Sequence, residues 1–126
     1  MARELYHSRG SDFNEWHRSL DETYAACDLD LIEMCKVCNE PLCFMETCHD
    51  IGQKFKATTL TEKVAAYCNK PAFLIFYTPG VVQGSLTQLR VTRLLPRRSS
   101  EVLMEPLEFA KVLAYYHEQH LCEVPF

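Results

Sequence analysis

The chain reads as α/β: one mixed sheet with flanking helices, in the order helix, hairpin, helix, strand, strand, helix. Three stretches carry that expectation. LDLIEMC and LCFMETC, on either side of KVCNEP, alternate apolar and polar residues like the two arms of a β-hairpin. Ala72 to Tyr77 is a continuous apolar run, as in a strand buried on both faces. Between hairpin and run lies a helix-like segment, and a helix joining the two puts helices on the faces of a mixed sheet.

Residues 1–10 are polar and read as loosely ordered. Asp12 and Glu15 have the spacing of a capping box, so a short helix carrying Phe13, Trp16 and Leu20 is expected from Ser11 or Asp12. A strand is expected from Tyr24 to Cys35, broken by Asn39-Glu40-Pro41 and resumed at Leu42. Asp50, with Gln53 three residues on, predicts a helix from Ile51 to Tyr67 with Ile51, Phe55, Leu60 and Val64 facing inward. Thr58 and Thr59 weaken its middle, where a kink or break is expected. Asn69-Lys70-Pro71 ends it and Pro79-Gly80 turns the chain. TQLRVTRLL reads as another strand, Arg97 to Glu101 as a polar linker. Pro106 suits the first turn of a last helix, over about 105–120, with Leu107, Phe109, Val112, Leu113 and Tyr116 as its packing side.

At 126 residues the chain has room for one core, a single domain over 1–126. No apolar run approaches the ~20 residues of a membrane span. MARELYHSRGSDFNEW has no apolar stretch of the secretory kind, and seven cysteines, an odd number, argue for reduced thiols; both point to the cytoplasm. The net charge of −4 disfavours broad phosphate binding, so any nucleic-acid contact needs a local patch. Lys54, Lys56, Lys63 and Lys70 offer one, and Arg90, Arg93, Arg97 and Arg98 another; scattered solvated charges are the bland alternative for the arginines.

Side chains alternate along a strand, so one facing pair sets the register for all. A turn centred near Cys38 puts Asp30 opposite Glu46 and Asp28 opposite Cys48, on one face with Ile32, Met34, Leu42 and Phe44. A slip of one residue dissolves the arrangement. Hard oxygen ligands that leave coordination sites open for water and phosphate are what phosphodiester hydrolysis with a divalent ion requires. Asp30 and Glu46 fit as ligands, Asp28 as an auxiliary one, with Lys56 or Lys54 as the activating lysine.

These residues resemble the PD-(D/E)XK nuclease superfamily, in which an acid on one core strand is followed by Glu-x-Lys on the next. Asp30 matches the first, and Glu46-Thr47-Cys48 stands at the Glu-x-Lys position. Trp16-His17-Arg18, Asp28-x-Asp30-x-x-Glu33 and Pro41 with Met45-Glu46-Thr47 are similar to a series in small phage and bacterial members. The likeness covers roughly residues 13 to 78. It implies a restriction-endonuclease-like fold, Mg²⁺ or Mn²⁺ as cofactor, and nucleic acid, DNA in the first place, as substrate. A phage-encoded member would act in the host cytoplasm, and a homodimer would let so small a domain act on two strands. The departure is Cys48 in place of lysine. Some members take the lysine from the following helix, where Lys56 is preferred to Lys54 because Lys54 lies between Ile51 and Phe55 on the packing face. Glu15 is the candidate for the first-helix acid, and His17, Arg18 and Gln53 are candidate phosphate contacts. The alternative is a catalytically inactive protein on the same fold, a phage-type modulator or a zinc-stabilised adaptor.

Cys35-x-x-Cys38 followed by Cys43 resembles a zinc knuckle at the hairpin tip. Cys48 lies too far down the strand to complete it, roughly 17 Å from Cys43. Cys27, Cys68 or a distant histidine would have to serve, with idle reduced thiols as the alternative. His117 and His120 read as surface residues without evident partners.

Overall fold

The computed structural model describes residues 12–13, 15–23 and 29–122. Its centre is a five-stranded mixed sheet in the order β1-β2-β3-β4-β5. β1 is Leu31–Met34, β2 Pro41–His49, β3 Ala72–Pro79, β4 Leu86–Leu95 and β5 Val102–Met104. Helix α1, Thr59–Cys68, connects β2 to β3, and α2, Pro106–Gln119, follows β5. β2 and β3 run parallel, as their helical crossover allows, and every other neighbouring pair is antiparallel.

The hairpin has the register that a turn near Cys38 demands. Leu31 faces Met45, Ile32 faces Phe44 and Glu33 faces Cys43, with an irregularity only at Met34, beside Pro41. The turn closes through Asn39, whose φ of 64° lies in the left-handed region that asparagine tolerates, and whose N–H donates to Cys35 O. Alternation along β2 and β3 feeds two cores. Cys43, Met45, Phe73 and Ile75 join Leu89, Val91 and Phe109 under α2. Phe44, Leu74 and Phe76 join Ala65, Ala72 and Leu94 under α1. The result is three layers, helix on sheet on helix.

Three expectations are corrected. The part of the expected first strand from Tyr24 to Asp28 lies outside the described residues, and Leu29 and Asp30 precede β1 instead of belonging to it. The helix over 51–67 exists only in its second half. Gly52, at φ 86°, turns the chain, the Asp50 carboxylate accepts its N–H at 2.9 Å, and residues 53–58 run irregularly. Ile51 and Phe55 are therefore exposed at 79% each instead of facing inward. Between the linker and the last helix, Val102–Met104 form a strand that was not expected, β5, which pairs with Leu89–Val91. Leu107 is exposed, while Phe109 is buried and Val112, Leu113 and Tyr116 pack on the core.

Near the N-terminus residues 12, 13 and 15–18 are helical, and the rings of Phe13 and Trp16 lie 5.3 Å apart. α2 starts as its sequence indicates, with Pro106 in the first turn and a reciprocal capping box between Glu105 and Glu108. Among the described residues no helix is long and apolar enough to cross a membrane.

Candidate active site and metal centre

Two clusters of chemistry-bearing side chains bracket β1. Asp30 stands immediately before the strand and Cys35 immediately after it.

At the Asp30 end, β1 stops while β2 continues, so the Thr47 N–H loses its strand partner. The Asp30 carboxylate takes that place, accepting the Thr47 N–H at 2.8 Å. Glu46, one residue earlier on β2, points to the α1 side and is only 7% exposed. A buried carboxylate must be paired or hydrogen-bonded. Glu46 is both: Thr61 Oγ1 of α1 donates to its Oε1 at 2.8 Å, and Lys56 Nζ lies 3.0 Å from its Oε2. The same ammonium is 3.3 Å from Asp30 Oδ2 and donates to Thr47 O at 2.8 Å. Asp30, Glu46 and Lys56, far apart in sequence, thus converge on one point.

Partial burial opposes ionisation of Asp30, but the Thr47 N–H and the Lys56 ammonium outweigh it and hold the carboxyl below its ordinary value. For Lys56, burial pulls downward, while Glu46 and Asp30 outweigh it and push the ammonium above its ordinary value. Lys56 is therefore a cation at neutral pH and no proton acceptor.

Lys56 reaches this point from the irregular segment, not from a helix. The segment is anchored by Arg90, whose Nε and Nη2 make a forked contact with Asp50 at 2.9 and 2.8 Å. Arg90 Nη2 also donates to Gln53 O, its Nη1 meets Glu101 at 2.8 Å, and its guanidinium lies over the Phe76 ring. The hydrogen bonds from Arg90 hold Asp50 down at about 2. Arg90 is thus a structural clamp. Of the other expected basic residues, Arg93 donates to Arg97 O, Arg98 pairs with Glu62 and Lys70 with Glu40.

Lys54 is exposed and forms no salt bridge with the two acids. Gln53 uses its side chain locally, accepting from Ile51 N and donating to His49 O and Cys48 Sγ. Cys48, at the position of the superfamily's lysine, is half-buried beside it. Glu15 and Arg18 are exposed and His17 is half-buried; among the described residues none of them pairs with Asp30, Glu46 or Lys56. Asp28 lies outside the described residues.

At the Cys35 end, four side chains gather: Cys35, Cys38, His120 and Cys122, with ligand atoms all within 4.8 Å of one another. This cluster could hold a metal ion. Cys35 Sγ is 3.8 Å from Cys122 Sγ, and Cys38 Sγ is 3.2 Å from His120 Nε2. Backbone N–H groups of Cys38 and Val37 donate to Cys35 and draw its thiol down to about 6. The expectation for Cys43 is corrected: it points into the core under α2, and burial pushes its thiol up to about 12. His120 is no surface residue, its side chain being 8% exposed, and His117 has a partner in Glu33 at 2.6 Å. The missed signal was the second short-spaced pair, His120-x-Cys122, which complements Cys35-x-x-Cys38.

Comparison of the chain with protein-family models, with curated proteins and with solved structures finds no match.

Proposed function

We propose that the chain is a metal-dependent nuclease that hydrolyses phosphodiester bonds in nucleic acid, DNA in the first place, with Mg²⁺ or Mn²⁺. One observation carries the reading: Asp30 Oδ2, Glu46 Oε2 and Thr47 O all lie within 3.3 Å of a single point, where the Lys56 ammonium sits. Three hard oxygens around a cation position fit the donor set of Mg²⁺ or Mn²⁺. The resemblance of Asp30 and Glu46-Thr47 to the PD-(D/E)XK pattern points the same way, and the restriction-endonuclease-like fold belongs to this proposal.

Asp30, Glu46 and the Thr47 carbonyl would hold the ion, which when bound polarises a phosphoryl oxygen and acidifies a bound water. Thr61 keeps Glu46 aimed at the site. Lys56, held protonated, neutralises charge developing on the phosphate and can donate a proton to the leaving oxygen. A nearby second copy would supply a site for the other strand of a duplex.

A second reading rests on the same ammonium. Lys56 already neutralises both carboxylates, so it can serve as a fixed substitute for the cation in a domain that binds nucleic acid without cutting it.

Cleavage of plasmid and single-stranded DNA with Mn²⁺ tests both. The nuclease reading expects activity in the wild type and a loss of at least about 10²-fold in Glu46→Gln. A folded wild type that binds DNA but leaves it intact favours the second reading. Neither cleavage nor binding defeats both.

A further inference from the structure

The turn between β1 and β2 brings two thiols to the chain that leaves α2. Cys35 follows β1 directly and Cys38 lies in the turn. His120 caps the C-terminus of α2 and Cys122 follows two residues later. We propose that these four residues bind one structural Zn²⁺ that staples the hairpin turn to the segment after α2.

The first support is spacing. Tetrahedral zinc with sulfur at ~2.3 Å and nitrogen at ~2.0 Å places two sulfurs about 3.8 Å apart and a sulfur and nitrogen about 3.5 Å apart. The corresponding separations are 3.8 Å for Cys35–Cys122 and 3.2 Å for Cys38–His120. Three thiols and one imidazole complete a four-ligand set of the closed, structural kind.

The second support is what lies behind the ligands. His120 turns Nε2 towards the thiols while its Nδ1 faces Glu40 Oε2 at 3.6 Å. A metal-binding histidine ordinarily presents its other nitrogen to a carboxylate in this way, which selects the tautomer and the ring orientation. Glu40 is in turn paired with Lys70. On the other side, Val37 and Cys38 N–H groups donate to Cys35 Sγ, and the turn is locked by Cys35 N–Glu40 O and Asn39 N–Cys35 O.

The third is that the two halves are aligned without the ion. Phe109 packs in the core with Cys43 and Met45, and His117, one turn before His120, bonds Glu33 of β1. Metal binding therefore finishes a geometry that packing has begun. Cys35, Cys38 and Cys122 bind as thiolates, any thiol proton still present passing to solvent, and His120 binds neutral; no electron is transferred.

The test is metal analysis of reduced protein, with Co²⁺ as a spectroscopic probe. One zinc per chain and the visible bands of tetrahedral, thiolate-bound cobalt are expected. Cys122→Ser and His120→Ala should lose or alter those bands, whereas Cys68→Ser and Cys43→Ala should retain them. Should a ligand variant fail to fold, the wild type remains decisive: removal of zinc by a strong chelator must free three additional thiols for titration. Reduced, folded wild type without zinc and without tetrahedral cobalt bands overturns the proposal. So does a cobalt spectrum unchanged by loss of Cys122 and of His120, or a Cys35–Cys122 disulfide in protein purified under reducing conditions.

Discussion

The two ends of β1 hold clusters of opposite chemical character. At one end two carboxylates and a carbonyl surround an ammonium; at the other three thiols and an imidazole gather, with no lysine or arginine between them among the described residues. Hard oxygens suit magnesium and manganese, soft sulfur and imidazole suit zinc. The difference in occupancy matters as much. Under the nuclease proposal, an ion entering the oxygen cluster would have to displace or share with Lys56. An ion entering the sulfur cluster displaces only protons. The fold thus separates an oxygen cluster from a sulfur cluster at the two ends of one four-residue strand.

The sharpest way to break this contrast is to remove the staple. The ligand pair Cys38 and His120 closes a loop of 82 residues, and by analogy with a covalent cross-link of that length its loss costs on the order of 4 kcal/mol. Denaturant unfolding with and without chelator should show it, with no comparable change when Mg²⁺ is withheld. Equal effects of the two ions would erase the distinction.

Next is Lys56→Ala. It leaves Glu46 buried with only Thr61 for company, and with discounting for the partial exposure of Lys56 the cost is about 1–2 kcal/mol. The same variant should bind Mn²⁺ more tightly than wild type, because the competing ammonium is gone. Titration calorimetry checks this; weaker binding would show that Lys56 does not compete with the ion.

A smaller effect is confined to acid. Asp50 titrates at about 2 in the folded chain, against 3.8 ordinarily. Because the folded value is the lower, its contribution is present above pH ~4 and is lost as pH falls towards 2. Asp50→Asn should lower stability at neutral pH and flatten the acid limb of the profile in that window. Asp30, also held below its ordinary value, adds to the same limb. A profile unchanged by Asp50→Asn would mean that the Arg90 clamp is not formed in solution.

The smallest is Gly52→Ala. A Cβ there meets nothing within 4 Å, so its cost is only that of a side chain at φ 86°, about 1 kcal/mol. Since this turn leads to Lys56, the nuclease proposal expects the variant to lower cleavage by more than it lowers thermal stability.

Much of the oxygen site was legible because it depends on a period of two. Alternation in LDLIEMC and LCFMETC, with a turn near Cys38, is enough to align Asp30 with Glu46. The buried strand β3 was legible for the same reason, its run being apolar on both faces. Lys56 was named, but on a helix that does not exist there; capping spacing at Asp50 and Gln53 looks like a helix start, and Gly52 and the Arg90 fork turn those same side chains to closing a loop. β5 escaped because three residues are too few for a period to appear. His120 passed for a surface residue because neither helical spacing nor charge reveals what lies across from a helix end.

Neighbouring residues by themselves determined the hairpin, its register, the double-sided burial of β3 and the last helix. These follow from steric alternation and capping within a few residues. Packing of α2 on the sheet alone decided that Cys35 and Cys38 meet His120 and Cys122, and the Asp50–Arg90 clamp alone decided where Lys56 points. Both are closures across long stretches of chain, and their outcome depends on which apolar surfaces bury each other, a choice made only when the whole core assembles.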